Sequence, residues 1–116
     1  MRYDSGEKIE TEEITMAKLD NKKIMVCGGD ASVYLMMKMT LQKILKKFKI
    51  VPAQVLGTLP EQGKAVAADF DLVLCPANLA PLFDAAKKKG AVVLGVRSIL
   101  NDREMERAMW EAELLN

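Results

Sequence analysis

Apolar and polar positions along the chain alternate between two periods. Lys23 to Cys27 is an almost unbroken apolar run, the pattern of a strand buried on both faces of a parallel sheet. From about Ser32 to Lys49 the period becomes helical. Val33, Met36, Met37, Thr40, Leu41, Ile44, Leu45 and Phe48 form one stripe, while Lys38, Gln42, Lys43, Lys46, Lys47 and Lys49 lie mostly away from it. The lysines near the end complement the helix dipole and read as a solvated face.

The alternation repeats three more times. Val51 to Leu56 reads as a second strand, and Pro52, which has no N–H to donate, places it at a sheet edge. Gly57-Thr58-Leu59-Pro60 is a turn, with Pro60 suited to the first turn of a helix over Glu61 to Ala68. Leu72 to Cys75 is a third strand. The loop Pro76-Ala77-Asn78 leads to a helix from about Leu79 to Lys89, stopped by Gly90. Ala91 to Gly95 is a fourth strand. Asn101 and Glu104 have the spacing of a capping pair at the start of a last helix. Its buried stripe is Met105, Ala108, Met109, Ala112 and Leu115, with Trp110 off that face. Residues 1–21 show no convincing period and carry Asp4, Glu7, Glu10, Glu12 and Glu13. They read as a poorly ordered N-terminal extension, in which a short helix over residues 11–19 is the one element the pattern allows, and residues 22–116 as the domain.

The order βαβαβαβα with short connections implies a three-layer α/β domain with a four-stranded parallel sheet and helices on both faces. With strand 2 at an edge, the strand order is 2-1-3-4. Ligands of such sheets bind beyond the carboxyl ends of the strands, where successive connections leave for opposite faces. Here that crevice lies between strands 1 and 3, where the loops after Cys27 and Cys75 meet.

Composition narrows the chemistry. A net charge of +1 gives no field for nucleic acid or an anionic membrane. No apolar run approaches the roughly 20 residues of a transmembrane helix, and the N-terminus is unlike a signal peptide, so the expected location is cytoplasmic. The chain has no histidine. That excludes Ser-His-Asp and Cys-His catalysis, histidine metal ligation and a phosphohistidine on this chain. The two cysteines match no zinc spacing, and no metal or organic cofactor is expected.

The thiols are then the leading nucleophiles. Cys27 ends strand 1 and is followed by Gly28-Gly29 and a helix N-terminus, whose free amides and partial positive charge suit an anion and favour thiolate. The expected thiol pKa lies below the ordinary value of about 8.5. The plainer alternative is a small buried residue closing a strand. Cys75 reads as packing, or as a redox partner if its Cα lies within about 7 Å of that of Cys27. A phosphatase-type loop is set aside because Val33, not arginine, is the sixth residue after Cys27. A dinucleotide site is set aside because the third glycine and the acidic residue ending strand 2 are missing. Arg97, after strand 4, reads as a solvated or capping side chain, or as one that steers phosphate.

Three segments, VCGGDASVYLMMKM at 26–39, FDLVLCPANLA at 70–80 and VVLGVRSILNDREM at 92–105, resemble the IIB subunits of the bacterial sugar phosphotransferase system, nearest to the ascorbate and galactitol types on the lactose/cellobiose-like IIB fold. The resemblance covers roughly Lys22 to Met109. It implies a cytoplasmic phosphocarrier in which Cys27 accepts a phosphoryl group from the phosphohistidine of a IIA protein. The group then passes to a sugar at the membrane IIC transporter. It also implies a phosphate loop formed by Gly28, Gly29, Asp30, Ala31, Ser32, Val33 and Tyr34. Asp30 stands where that loop usually has a small residue, and Val33 and Tyr34 stand where Ser or Thr is common. Only Ser32 offers a short hydroxyl. An ionised Asp30 would repel a bound dianion, so the alternative implied function is a degenerate IIB-like domain that binds or regulates without transferring phosphate.

Overall fold

In the computed structural model, which describes residues 18–98 and 101–115, strand β1 (Lys23–Cys27) is the centre of the molecule. Ile24 and Val26 project to one face and Met25 and Cys27 to the other, and all four are fully buried. Burial on both sides explains the unbroken apolar run. Strands β2 (Gln54–Thr58), β3 (Leu72–Pro76) and β4 (Val92–Val96) complete an all-parallel sheet in the order β2-β1-β3-β4. The expected strand order and layering are borne out.

Each face has its own core. Helices α1 (Ala31–Lys47) and α4 (Asp102–Glu111) cover one, packing Met37, Leu41, Ile44, Met105 and Met109 on Ile24, Val26, Leu72 and Leu74. Helices α2 (Pro60–Val66) and α3 (Asp84–Lys88) lie on the other, where Ala67, Phe83 and Ala86 pack with Met25, Cys27, Val73 and Cys75. The connection after β1 therefore leaves for one face and that after β3 for the opposite one. That divergence is what places a site beyond their carboxyl ends.

Most boundaries shift by a residue or two, and four of the differences have structural consequences. Strand β2 starts at Gln54, so Pro52 precedes it and does not itself make the edge. Val51 and Ala53 instead brace the chain before β1: the Val51 amide donates to Asp20 Oδ1 at 2.8 Å and the Ala53 amide to the Lys22 carbonyl at 2.9 Å. Thr58, read as part of a turn, is the last residue of β2. The helix expected over 79–89 is split into a 3₁₀ segment, Ala77–Phe83, and the short α3. Pro81 lies inside the 3₁₀ segment, where its missing N–H and its ring are incompatible with an α-helical ladder. Helix α1 stops at Lys47, two residues early.

That early stop has a clear cause. Lys49 adopts a left-handed φ of 58°. The Ile50 amide donates to the Leu45 carbonyl at 2.8 Å and the Lys49 amide to the Lys46 carbonyl at 3.1 Å. These are the two bonds of a Schellman motif, and Ile50 and Leu45 are buried as its apolar contact. Helix α4 ends in the same way, with Glu113 at φ 60° and Leu114 donating to Met109 at 2.9 Å. At its start Asn101 caps as expected, accepting from the amides of Arg103 and Glu104. Trp110, off the buried stripe, is half exposed and meets the Phe48 ring edge-on at 5.5 Å. Of the expected extension over residues 1–21, with its short helix over 11–19, the part up to residue 17 lies outside the described residues. Residues 18–21 form a turn that buries Leu19 in the α1/α4 core and ties the Asn21 amide to the Val51 carbonyl at 2.9 Å.

Candidate functional site

Cys27 ends β1 with β2 and β3 on either side. In register with it on β2 is Thr58, while Cys75, the residue after Leu74 of the last β1–β3 pair, lies with it in the same buried cluster. Neighbouring strands are about 4.8 Å apart, inside the separation a disulfide needs, and both thiols are free. The loop that follows turns tightly. Gly28 is buried, its amide donates to the Thr58 carbonyl at 3.1 Å, and a Cβ there would lie 2.5 Å from the Tyr34 amide nitrogen. Only glycine fits that approach.

Asp30 is the N-cap of α1. Its Oδ1 accepts from the Val33 amide at 2.9 Å and from the Ser32 hydroxyl at 2.8 Å. Those bonds, the Val33 amide first, hold its carboxyl below the usual carboxylate range. A carboxylate at this position also offsets the positive end of the helix dipole. The Ser32 hydroxyl, the one short side-chain donor expected in the loop, is thereby engaged within it. The Tyr34 amide is bound to the Asp30 carbonyl at 3.2 Å. Among the described residues, the amides of Gly29, Asp30 and Ala31 donate to no protein acceptor. These three remain available to an anion.

The thiol itself differs from expectation. Cys27 is fully buried, and burial pushes its pKa up to about 11 rather than below the ordinary range. The cause is loss of water on burial, which disfavours the charged sulfur. Burial, with the nearby Cys27, pushes the Cys75 thiol up to about 12. At neutral pH both are protonated.

A concavity of about 410 Å³ touches the loop at Gly29 and opens toward Leu59, Pro60, Glu61 and Gln62 on the α2 side. Arg97 is elsewhere. It lines a groove of about 510 Å³ between β4 and α4 with Glu104 and Arg107, so it does not share a cavity with Cys27. The structure thus brings the segment Cys27–Tyr34 together as one site and leaves Arg97 out. Sequence reasoning places Thr58 in a turn and assigns it no role, yet it is the one buried polar side chain among the described residues. The signal was present: a lone hydroxyl at the carboxyl end of the strand beside a cysteine-bearing strand.

Among the described residues no helix is long and apolar enough to cross a membrane, and no cluster of metal-ligating side chains occurs. None of the curated proteins matches the chain in sequence. In fold, it is similar to the lactose-specific IIB component domain of the phosphoenolpyruvate:carbohydrate phosphotransferase system from Streptococcus pneumoniae. The TM-score is 0.56 at 7% identity, over 80% of this chain and 95% of that one. The family described as "PTS system, Lactose/Cellobiose specific IIB subunit" matches residues 22–110, a description that differs from the ascorbate and galactitol subtype expected but names the same kind of subunit. With a match across most of its length and the parallel sheet that carries Cys27 at its centre, the chain belongs to the lactose/cellobiose-specific IIB family of the sugar phosphotransferase system.

Proposed function

We propose that the protein is a cytoplasmic phosphocarrier whose Cys27 accepts a phosphoryl group from a IIA phosphohistidine and passes it to a sugar at a IIC transporter. The observation that carries this reading is the position of Cys27. It ends the central strand, immediately before a buried glycine turn and the three unengaged amides of Gly29, Asp30 and Ala31. In the first step the Cys27 thiol, protonated at rest, releases its proton to water, and the sulfur as thiolate attacks phosphorus in line. The S–P bond forms, the N–P bond to the donor imidazole breaks, and the departing nitrogen keeps the electron pair. Loop amides stabilise the equatorial oxygens. The second step repeats the displacement with a sugar hydroxyl as nucleophile and the Cys27 sulfur as leaving group, the hydroxyl proton being lost to water and the sulfur returning to the thiol. Neither step calls for a metal or an organic cofactor.

Burial of Cys27 means that the loop of Gly28 to Ser32 must move aside for the sulfur to meet phosphorus. Incubating the protein with a phosphorylated IIA protein of the lactose/cellobiose class tests the reading. Intact mass should show one acid-resistant, iodine-labile phosphoryl adduct, absent from Cys27→Ser. No adduct with any IIA donor of the class would overturn it.

A second reading has its own support. Asp30 occupies the Val33 and Ser32 donors, and the thiol is both buried and protonated. A IIB-like module that binds partners without transferring phosphate would retain such a loop. Binding to a IIA or IIC partner without any adduct would favour this second reading.

A further inference from the structure

Thr58 stands out on three independent counts. Its side chain is the one buried polar group among the described residues, only 6% exposed. It is in register with Cys27 on the adjoining strand. Its backbone carbonyl also accepts the Gly28 amide that begins the loop, at 3.1 Å.

The side chain shares the layer of the thiol. Helix α2 comes closest at Gly63, where an added Cβ would lie 2.7 Å from Thr58 Cγ2 and 3.1 Å from Met25 Sδ. Met25 and Cys27 project to that same face. The Thr58 hydroxyl makes a single local hydrogen bond, donating to the Leu59 carbonyl at 3.1 Å. A hydroxyl hydrogen rotates to suit its strongest acceptor, and a charged sulfur outcompetes a neutral carbonyl. An apolar residue at this position would fill the same space with no polar group to satisfy.

We propose that Thr58 is a positioning residue for Cys27, its hydroxyl turning from the Leu59 carbonyl to donate to the sulfur once the sulfur is charged. This deepens the phosphocarrier reading and rests on it for its role in transfer. The same hydroxyl would steady the sulfur as the nucleophile of the first displacement and as the leaving group of the second. Both are moments at which the sulfur carries negative charge.

The test uses the full chain with Cys75→Ala, so that Cys27 is the only thiol. Thr58→Val is near-isosteric and removes the donor, while Thr58→Ser restores it. Alkylation by iodoacetamide is followed from neutral to alkaline pH. Thr58→Val should react about tenfold more slowly at neutral pH, the lower end of what a hydrogen bond to a charged group supplies. Its pH profile should be displaced upward, and that of Thr58→Ser should return to the parent. In transfer from phosphorylated IIA, Thr58→Val should lose turnover with KM unchanged. If Thr58→Val does not fold, Thr58→Ala takes its place. Superimposable alkylation profiles for the parent and the hydroxyl-free variant would overturn the proposal. A parent protein that takes no phosphoryl group, with the Thr58→Val profile still displaced from its own, would sink the phosphocarrier reading and leave the link between Thr58 and the thiol standing.

Discussion

At the N-terminus of α1 a carboxylate already sits among the donors that a phosphoryl group would use. Asp30 holds the Val33 amide and the Ser32 hydroxyl. Two effects of that residue are separable by substitution. Asp30→Asn keeps a capping oxygen and removes the charge, so stability at neutral pH should change little while the affinity for inorganic phosphate rises severalfold. Asp30→Ala loses the cap and should lower the urea midpoint. The acid limb distinguishes the wild type further. Because the folded carboxyl lies below its ordinary value of 3.8, its contribution is present above that pH. It is lost as pH falls through the folded value. The Asn variant should lack that loss. The sequence showed that Asp30 was out of place for a phosphate loop, but not that it caps α1. A cap depends on where one side-chain oxygen meets two donors, and periodicity is blind to that. The raised thiol pKa is hidden for a related reason: a helix terminus is visible in sequence, whereas complete burial of a side chain beside it is not.

The two helices on the Cys27-distant face, α1 and α4, end in left-handed residues that are not glycine. Lys49 and Glu113 take φ values of 58° and 60°. A side chain in that conformation costs about 1 kcal/mol or more, which glycine avoids. Lys49→Gly and Glu113→Gly should therefore each stabilise the protein by roughly 0.5–1 kcal/mol, read as a higher urea midpoint at unchanged m. The missing glycine is also why the helical stripe was read on to Lys49. Apolar Phe48 and Ile50 keep the pattern alive past the true end, and Ile50 closes the Schellman motif rather than extending the helix. Pro81 is a legible stop signal inside the 79–89 run, and it divides that run into a 3₁₀ segment and α3. The strands were the better-read elements. Burial on both faces leaves a strand little freedom to be anything but apolar, and all four were placed within a few residues.

At the scale of the molecule, the sheet order followed from alternation, short connections and one edge strand, because so few right-handed arrangements satisfy all three. Two cores result, and they should respond differently. Met105→Ala, in the α1/α4 core and fully buried, should cost about 2–5 kcal/mol and leave the reactivity of Cys27 unchanged. The opposite core contains both thiols and makes stability fall with alkali. Folded pKa values of about 11 and about 12, against an ordinary 9.0, mean that the native state holds protons which the unfolded chain has released. The stabilisation is full below pH 9.0 and is lost as pH rises through the folded values. The urea midpoint should drop over that range, and Cys75→Ala should flatten the drop. The burial of Cys27 also bears on how long such a protein stays chemically intact. Peroxides and stray electrophiles attack exposed thiolates, and here there is neither exposure nor charge at neutral pH. The Cys27 sulfur is thus kept under cover at rest and should resist oxidation and alkylation for as long as the native fold holds.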